Sequence, residues 1–194
     1  MGVLLGLLWP IERFNDAALA LGRLLAIAAL ALMVVFILAQ VFFRYVLGDA
    51  LNWSEEAARF LMLWMTGLIA PLAYRQGGFV AIDMLERALP RVMSALLLLG
   101  MLIMAMIVIV TCVQLGWANV DSLSGRGRSA TLRIPMDWLD MRDIRFRNQW
   151  AYASLFVGFV GLAIVNIELI LRQIITLLGG GDRIKPLQDA GPID

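Results

Sequence analysis

The 194-residue chain contains no histidine and only one cysteine, and Lys185 is its single lysine. Without histidine there is no bis-histidine haem, no His-ligated metal and no Ser–His or Cys–His nucleophile pair. One thiol, Cys112, excludes iron–sulfur clusters and Cys-rich zinc sites. Inside an apolar run a lone thiol reads as inert packing. Gly77–Gly78 and Gly179–Gly181 lack the flanking residues of a phosphate-cradling loop. The middles of the apolar runs hold no ionisable residue, where an ion or proton path would need one. No broken-helix pair or inverted repeat marks a transport site. The expectation is a chain with no catalytic residue, no metal, no cofactor and no substrate site of its own. A net charge of +1 implies no polyanionic partner, nucleic acid included.

What is there is apolar. Hydrophobic residues make up 61% of the chain, and mean hydropathy is +0.84. About 20 apolar residues in a helix cross a bilayer core of about 30 Å. Leu24–Phe43 is one such run, bracketed by Arg23 and Arg44. Phe60–Tyr74 is a shorter one between Arg59 and Arg75, and Trp53 and Ala57–Ala58 extend its apolar character backwards. Val92–Val120 and Asn148–Ile167 are the third and fourth. A span must satisfy its own backbone hydrogen bonds, so it is a helix or part of a closed barrel. Continuous runs do not show the alternation of a barrel. The fold class expected is an all-α membrane protein in a single domain, residues 1–181. Its four transmembrane helices fall at about 20–43, 55–76, 92–118 and 148–176, with a short soluble tail over 182–194.

Ahead of the first span, Leu4, Leu7, Leu8, Ile11 and Phe14 share helical spacing, with Glu12, Arg13, Asn15 and Asp16 gathered elsewhere and Pro10 interrupting. This predicts an N-terminal amphipathic arm at the membrane surface. Met1–Trp9 has neither the basic start nor the cleavage pattern of a signal peptide, so the segment is expected to be retained. Ala18, Gly22 and Ala26, and Ser154 and Gly158 with Gly161 nearby, give small-residue faces that let helices approach closely. Pro71 predicts a bend in the second span, fitted to a neighbour or serving as a hinge. Glu168 and Arg172 sit one turn apart and are read as an interfacial ion pair. Between spans three and four, Asp121–Arg147 mixes six arginines with four aspartates. A short surface helix is expected after Pro135. Four spans put both termini on one side, and the Arg and Lys tally is eight on each side. The positive-inside rule therefore assigns no orientation.

The densest constellation runs from Arg44 to Arg59. Asn52 or Ser54 is expected to cap the second helix, and Glu55–Glu56 suit its positive N-terminal end. Glu55 reaches Arg59 at i+4, and Trp53 suits a membrane interface. A well-made helix start explains much of this. Two adjacent carboxylates where a helix enters lipid suggest in addition a polar partner there.

Phe43–Arg44–Tyr45–Val46, Leu51–Asn52–Trp53–Ser54–Glu55–Glu56 and Arg59–Phe60–Leu61–Met62–Leu63–Trp64 resemble the small membrane subunit of tripartite ATP-independent periplasmic (TRAP) transporters, the DctQ-type family. So do Ala73–Tyr74–Arg75, Val80–Ala81–Ile82–Asp83, Leu89–Pro90 and Ser129–Ala130–Thr131–Leu132–Arg133–Ile134–Pro135. The similarity covers about Phe14 to Leu178. Phe79 stands where the family often has a histidine, so no role of that histidine transfers. The family's second loop proline is absent near Ile144–Arg147. The resemblance implies a multi-pass bacterial inner-membrane protein with cytoplasmic termini. It would pack on and stabilise a large permease subunit served by a periplasmic substrate-binding protein, among membrane lipids. Uptake of organic acids would be driven by an ion gradient, usually sodium, with substrate and ion sites in the large subunit. Arg44, Trp53, Glu55, Glu56, Arg59, Arg75 and Asp83 become the partner-interface candidates. Arg126, Arg128 and Arg133 become the candidates for docking the binding protein. An accessory or assembly subunit of another membrane complex, or a small independent channel, are the other readings.

Overall fold

A computed structural model describes residues 2–48, 53–77, 90–122, 128–134, 144–147, 149–178 and 180. Four long helices carry the fold. Helix α1 spans Gly2–Phe42, α2 Ser54–Arg75, α3 Arg91–Ser122 and α4 Gln149–Leu177. All four are long and apolar enough to cross a membrane. The fold is thus an all-α multi-pass membrane fold. Between α3 and α4, strands β1 (Arg128–Ile134) and β2 (Ile144–Arg147) pair antiparallel, with an irregular register between Arg128 and Arg133. This two-stranded ribbon adds to the helical expectation. The helix expected after Pro135 lies outside the described residues.

The amphipathic arm is not a separate element. At 1.5 Å per residue, the 41 residues of α1 make one rod of about 60 Å, twice a bilayer core. Pro10 sits inside it without ending it. The rod continues as a π-helical turn, Phe43–Leu47, and stops at Gly48, whose φ of 73° is left-handed. Glycine adopts that conformation without the steric cost of a Cβ. The Gly48 N–H closes onto the Phe43 carbonyl.

Helix α4 is the hub. It packs on α1, α2 and α3, while α1 also packs on α2; among the described residues α3 touches no helix but α4. The α2–α4 contact is backbone to backbone. A Cβ on Gly67 would run into the Ser154 carbonyl, and one on Gly158 would lie 2.9 Å from the Gly67 Cα. The Pro71 ring lies against Gly161, where a Cβ would come 2.8 Å from its Cγ. Pro71 is therefore packed against a neighbouring helix. Small residues allow such approach where lipid supplies no hydrophobic drive between helices.

The axial register of α1 against α2 follows from three contacts. Asp16 pairs with Arg75, Gly22 faces the Leu68 carbonyl, and Phe36 meets Trp53 edge-on at 5.5 Å. The helices run antiparallel over about 30 Å, and α1 continues past Trp53 by a further 11 residues to Leu47. Arg23, which opens the uncharged run of α1, consequently lies near the level of Leu68, about 10 Å in from the Arg75 end of α2.

Candidate functional site

The polar chemistry concentrates near the end of the bundle where α2 and α4 finish, beside the first third of α1. Glu168 of α4 is fully buried. Its Oε1 accepts from Arg75 Nη2 at 2.7 Å and Nε at 3.2 Å, and from Arg172 Nε at 3.0 Å. Its Oε2 accepts from the Asn15 amide at 2.6 Å. Arg172 also reaches Glu12 at 2.7 Å, and Arg75 also pairs with Asp16. Three carboxylates and two guanidiniums from three helices thus close on one another. The neutral amide of Asn15, itself 2% exposed, supplies the donor that the acidic excess requires.

A second polar link lies deeper. Asn166 is fully buried, accepts from the Tyr74 hydroxyl at 2.9 Å and donates to the Leu102 carbonyl at 3.0 Å. It joins α2, α4 and α3. Gln173 adds a bond to the Ala95 carbonyl at 3.1 Å. These bonds saturate polar groups that would be expensive to leave bare away from water. Among the described residues no group of three or more His, Cys, Asp and Glu is arranged to hold a metal ion.

The sequence-selected residues separate into two ends. At the far end of α2, Glu55 and Arg59 pair at 3.3 Å with side chains 71% and 70% exposed. Glu56 shares the first turn of the helix. Trp53 is the N-cap residue, with no side-chain cap bond, so Ser54 does not take that place, and Asn52 lies outside the described residues. The Arg44 guanidinium lies 5.9 Å from the centre of the Tyr45 ring. Arg75 is about 33 Å away, at the other end of the 22-residue α2, turned inward with 11% of its side chain exposed. Asp83, Phe79 and Arg126 lie outside the described residues. Arg128 and Arg133 have backbone places in β1, opposite Arg147 and Arg145.

The Glu168–Arg172 pair was visible at i+4, but it is more than an interfacial bridge. It is the centre of a three-helix network. Asn15, Asp16, Tyr74 and Asn166 were not selected from the sequence as site residues. The signal that could have found the first two is the cluster Glu12–Asn15–Asp16 near the start of a span, which the spacing assigns to the polar side of an interfacial arm.

Two comparisons bear on identity. The family described as "Tripartite ATP-independent periplasmic transporters, DctQ component" matches residues 33–176. A protein of Haemophilus influenzae named "Putative TRAP transporter small permease protein" is 32% identical over 75 residues, 39% of this chain and 47% of the relative. The aligned segment thus spans about half the length of that relative.

Proposed function

The chain belongs to the DctQ family of TRAP transporter components, and from that premise we propose that it is the small membrane subunit of such a transporter. Its role is to pack on a large permease subunit and steady it. That family is a transport component and not an enzyme family. In this reading the assembly takes up an organic acid delivered by a periplasmic binding protein and is driven by an ion gradient, usually sodium. The chain lies in the bacterial inner membrane with both ends cytoplasmic. Glu55, Glu56 and Arg59, with Arg44 and Trp53, then face the periplasmic side of the membrane.

One observation carries the accessory role. The buried carboxylate, Glu168, is held by Arg75, Arg172 and Asn15 within the chain itself. Ion and proton paths use intramembrane carboxylates that can exchange partners with the permeant species. A carboxylate whose two oxygens are both engaged by fixed donors serves the bundle instead. Affinity purification from cells that also express a large TRAP permease subunit from the same organism tests the reading. Stoichiometric recovery of the permease supports it. Recovery of the chain alone, together with ion flux through liposomes that hold only this chain, would favour the independent channel.

A further inference from the structure

The ribbon between α3 and α4 is two-sided, and its register makes it so. Ile144, Arg145, Phe146 and Arg147 alternate along β2. Successive positions of a strand belong to opposite faces, so Arg145 and Arg147 share one face and Ile144 and Phe146 the other. Positions directly opposite each other on paired strands also share a face. Arg133 stands opposite Arg145, Arg128 opposite Arg147 and Ile134 opposite Ile144. Arg128 and Arg133 are five residues apart (133 minus 128), which would put them on opposite faces of a regular strand. Their partners are only two apart (147 minus 145), and the register irregularity between Arg128 and Arg133 takes up the difference. All four arginines therefore hold positions on one face, with Ile134, Ile144 and Phe146 on the other.

Neither strand contains an acidic residue. Like charges directly opposite each other destabilise a strand pair, and this ribbon has two such pairs, separated by one residue of β2. A two-stranded ribbon is marginal in water even without that repulsion. An anion bound across the arginine face converts the repulsion into attraction. Guanidinium forks suit phosphate, which they bind bidentately.

The position of the ribbon selects the source of the phosphate. β1 packs on α2 and β2 packs on α4. Arg147 lies three residues before Trp150, where the apolar span Trp150–Leu177 begins. Three residues reach about 11 Å at most, so β2 ends within that distance of a membrane-crossing segment. Trp150 is 56% exposed and Tyr152 43%, and aromatic residues of this kind at the end of a span sit at headgroup level.

We propose that the arginine face of the ribbon binds phospholipid headgroup phosphates, those of anionic phospholipid above all, and pins the α3–α4 connection to the membrane surface. The inference stands on register and chain connectivity and does not rest on the small-subunit reading. A phosphate takes two of the five donors of a guanidinium, so a pinned ribbon keeps donors for a docking protein.

The test uses the full chain carrying Cys112→Ser and a nitroxide on a cysteine replacing Ser129, in nanodiscs of phosphatidylglycerol and phosphatidylcholine. The label should sit at headgroup depth, shielded from an aqueous nickel chelate. Arg145→Gln with Arg147→Gln should expose the label. The same pair should raise the phosphatidylglycerol concentration that half-saturates the detergent-solubilised chain about tenfold. Arg145→Lys with Arg147→Lys should keep the label at headgroup depth. Arg13→Gln with Arg23→Gln removes the same charge elsewhere and should not move it. A label on the unsubstituted ribbon that is fully open to the nickel chelate in phosphatidylglycerol discs would overturn the proposal, whatever the variants do. So would unchanged lipid affinity in Arg145→Gln with Arg147→Gln, the result expected if Asp137, Asp140 and Asp143 of the same connection neutralise the arginines. Inorganic phosphate that displaces the lipid at equal concentration would overturn it as well. Slower binding-protein-dependent uptake with label depth and lipid affinity unchanged would assign the face to a protein instead.

Discussion

Arg75 and Glu168, 93 residues apart in the chain, meet through two hydrogen bonds to one carboxylate oxygen, from Nη2 at 2.7 Å and Nε at 3.2 Å. The contact ties the end of α2 to α4. Through Asn15 and Asp16 it also ties both to α1. Removing one member of a buried ion pair costs about 3–5 kcal/mol, because the other is left uncompensated. Glu168→Leu should therefore lower the thermal unfolding midpoint of the detergent-solubilised chain sharply, and Arg75→Leu should do nearly the same. The double variant should lose less than the sum of the two. Additive losses would show that the pair is not coupled.

The α2–α4 backbone contact makes a sharper steric prediction. Gly67→Ala drives a methyl into the Ser154 carbonyl, and forced overpacking costs about 1–3 kcal/mol. Gly100→Ala meets nothing within 4 Å and should be neutral or stabilising, since glycine in a helix costs about 0.5–1 kcal/mol against alanine. Unfolding midpoints of the two variants should move in opposite directions, or only the first should fall.

Much of the fold was legible in the sequence, and the part that was not has a physical reason. Apolar runs of helical length mark membrane crossing whatever their partners, so the four spans could be read without knowing their packing. The length of α1 could not. Glu12, Asn15 and Asp16 look like water-facing residues, and only the approach of Arg75 and Arg172 from two other helices buries Asn15, covers most of Glu12 and pairs the still exposed Asp16. Glu168 and Arg172 showed as a pair because i+4 spacing is local. Asn166 gave no sign, because its partners Tyr74 and Leu102 are 92 and 64 residues away. The ribbon was hidden in a stretch whose composition reads as loop.

Asn166→Leu should cost less than loss of the ionic pair. Hydrogen bonds between membrane helices average about 0.6 kcal/mol, with a maximum near 1.7. The variant breaks two of them, so a midpoint drop clearly smaller than that of Glu168→Leu is expected. Disulfide trapping between cysteines on α3 and α4 should reveal a loosened α3, which packs on no helix but α4 among the described residues.

The Glu55–Arg59 pair separates stability from assembly. Both side chains are exposed, and an exposed pair contributes about 0–1 kcal/mol to a fold. Glu55→Ala with Glu56→Ala should leave the unfolding midpoint near the wild-type value while reducing co-purification of the large permease. Unchanged recovery and uptake would reduce these carboxylates to a solvated helix start.

Arg126, Arg128 and Arg133 are proposed to help dock the periplasmic binding protein. Rim charges change the rate of encounter more than the final affinity. Replacing all three with serine should slow binding-protein-dependent uptake, most at low ionic strength where screening is weak. A cysteine at Ser124 should react with impermeant reagents added outside the cell. Labelling from the cytoplasmic side alone would remove this role together with the orientation.

Reconstituted uptake tests the central claim most directly. Proteoliposomes should be prepared with the large permease and this chain, with each alone, and with the binding protein added outside under an imposed sodium gradient. The account predicts saturable organic-acid uptake only when both membrane chains and the binding protein are present. Saturable uptake by this chain alone, or full uptake without it, would contradict the account.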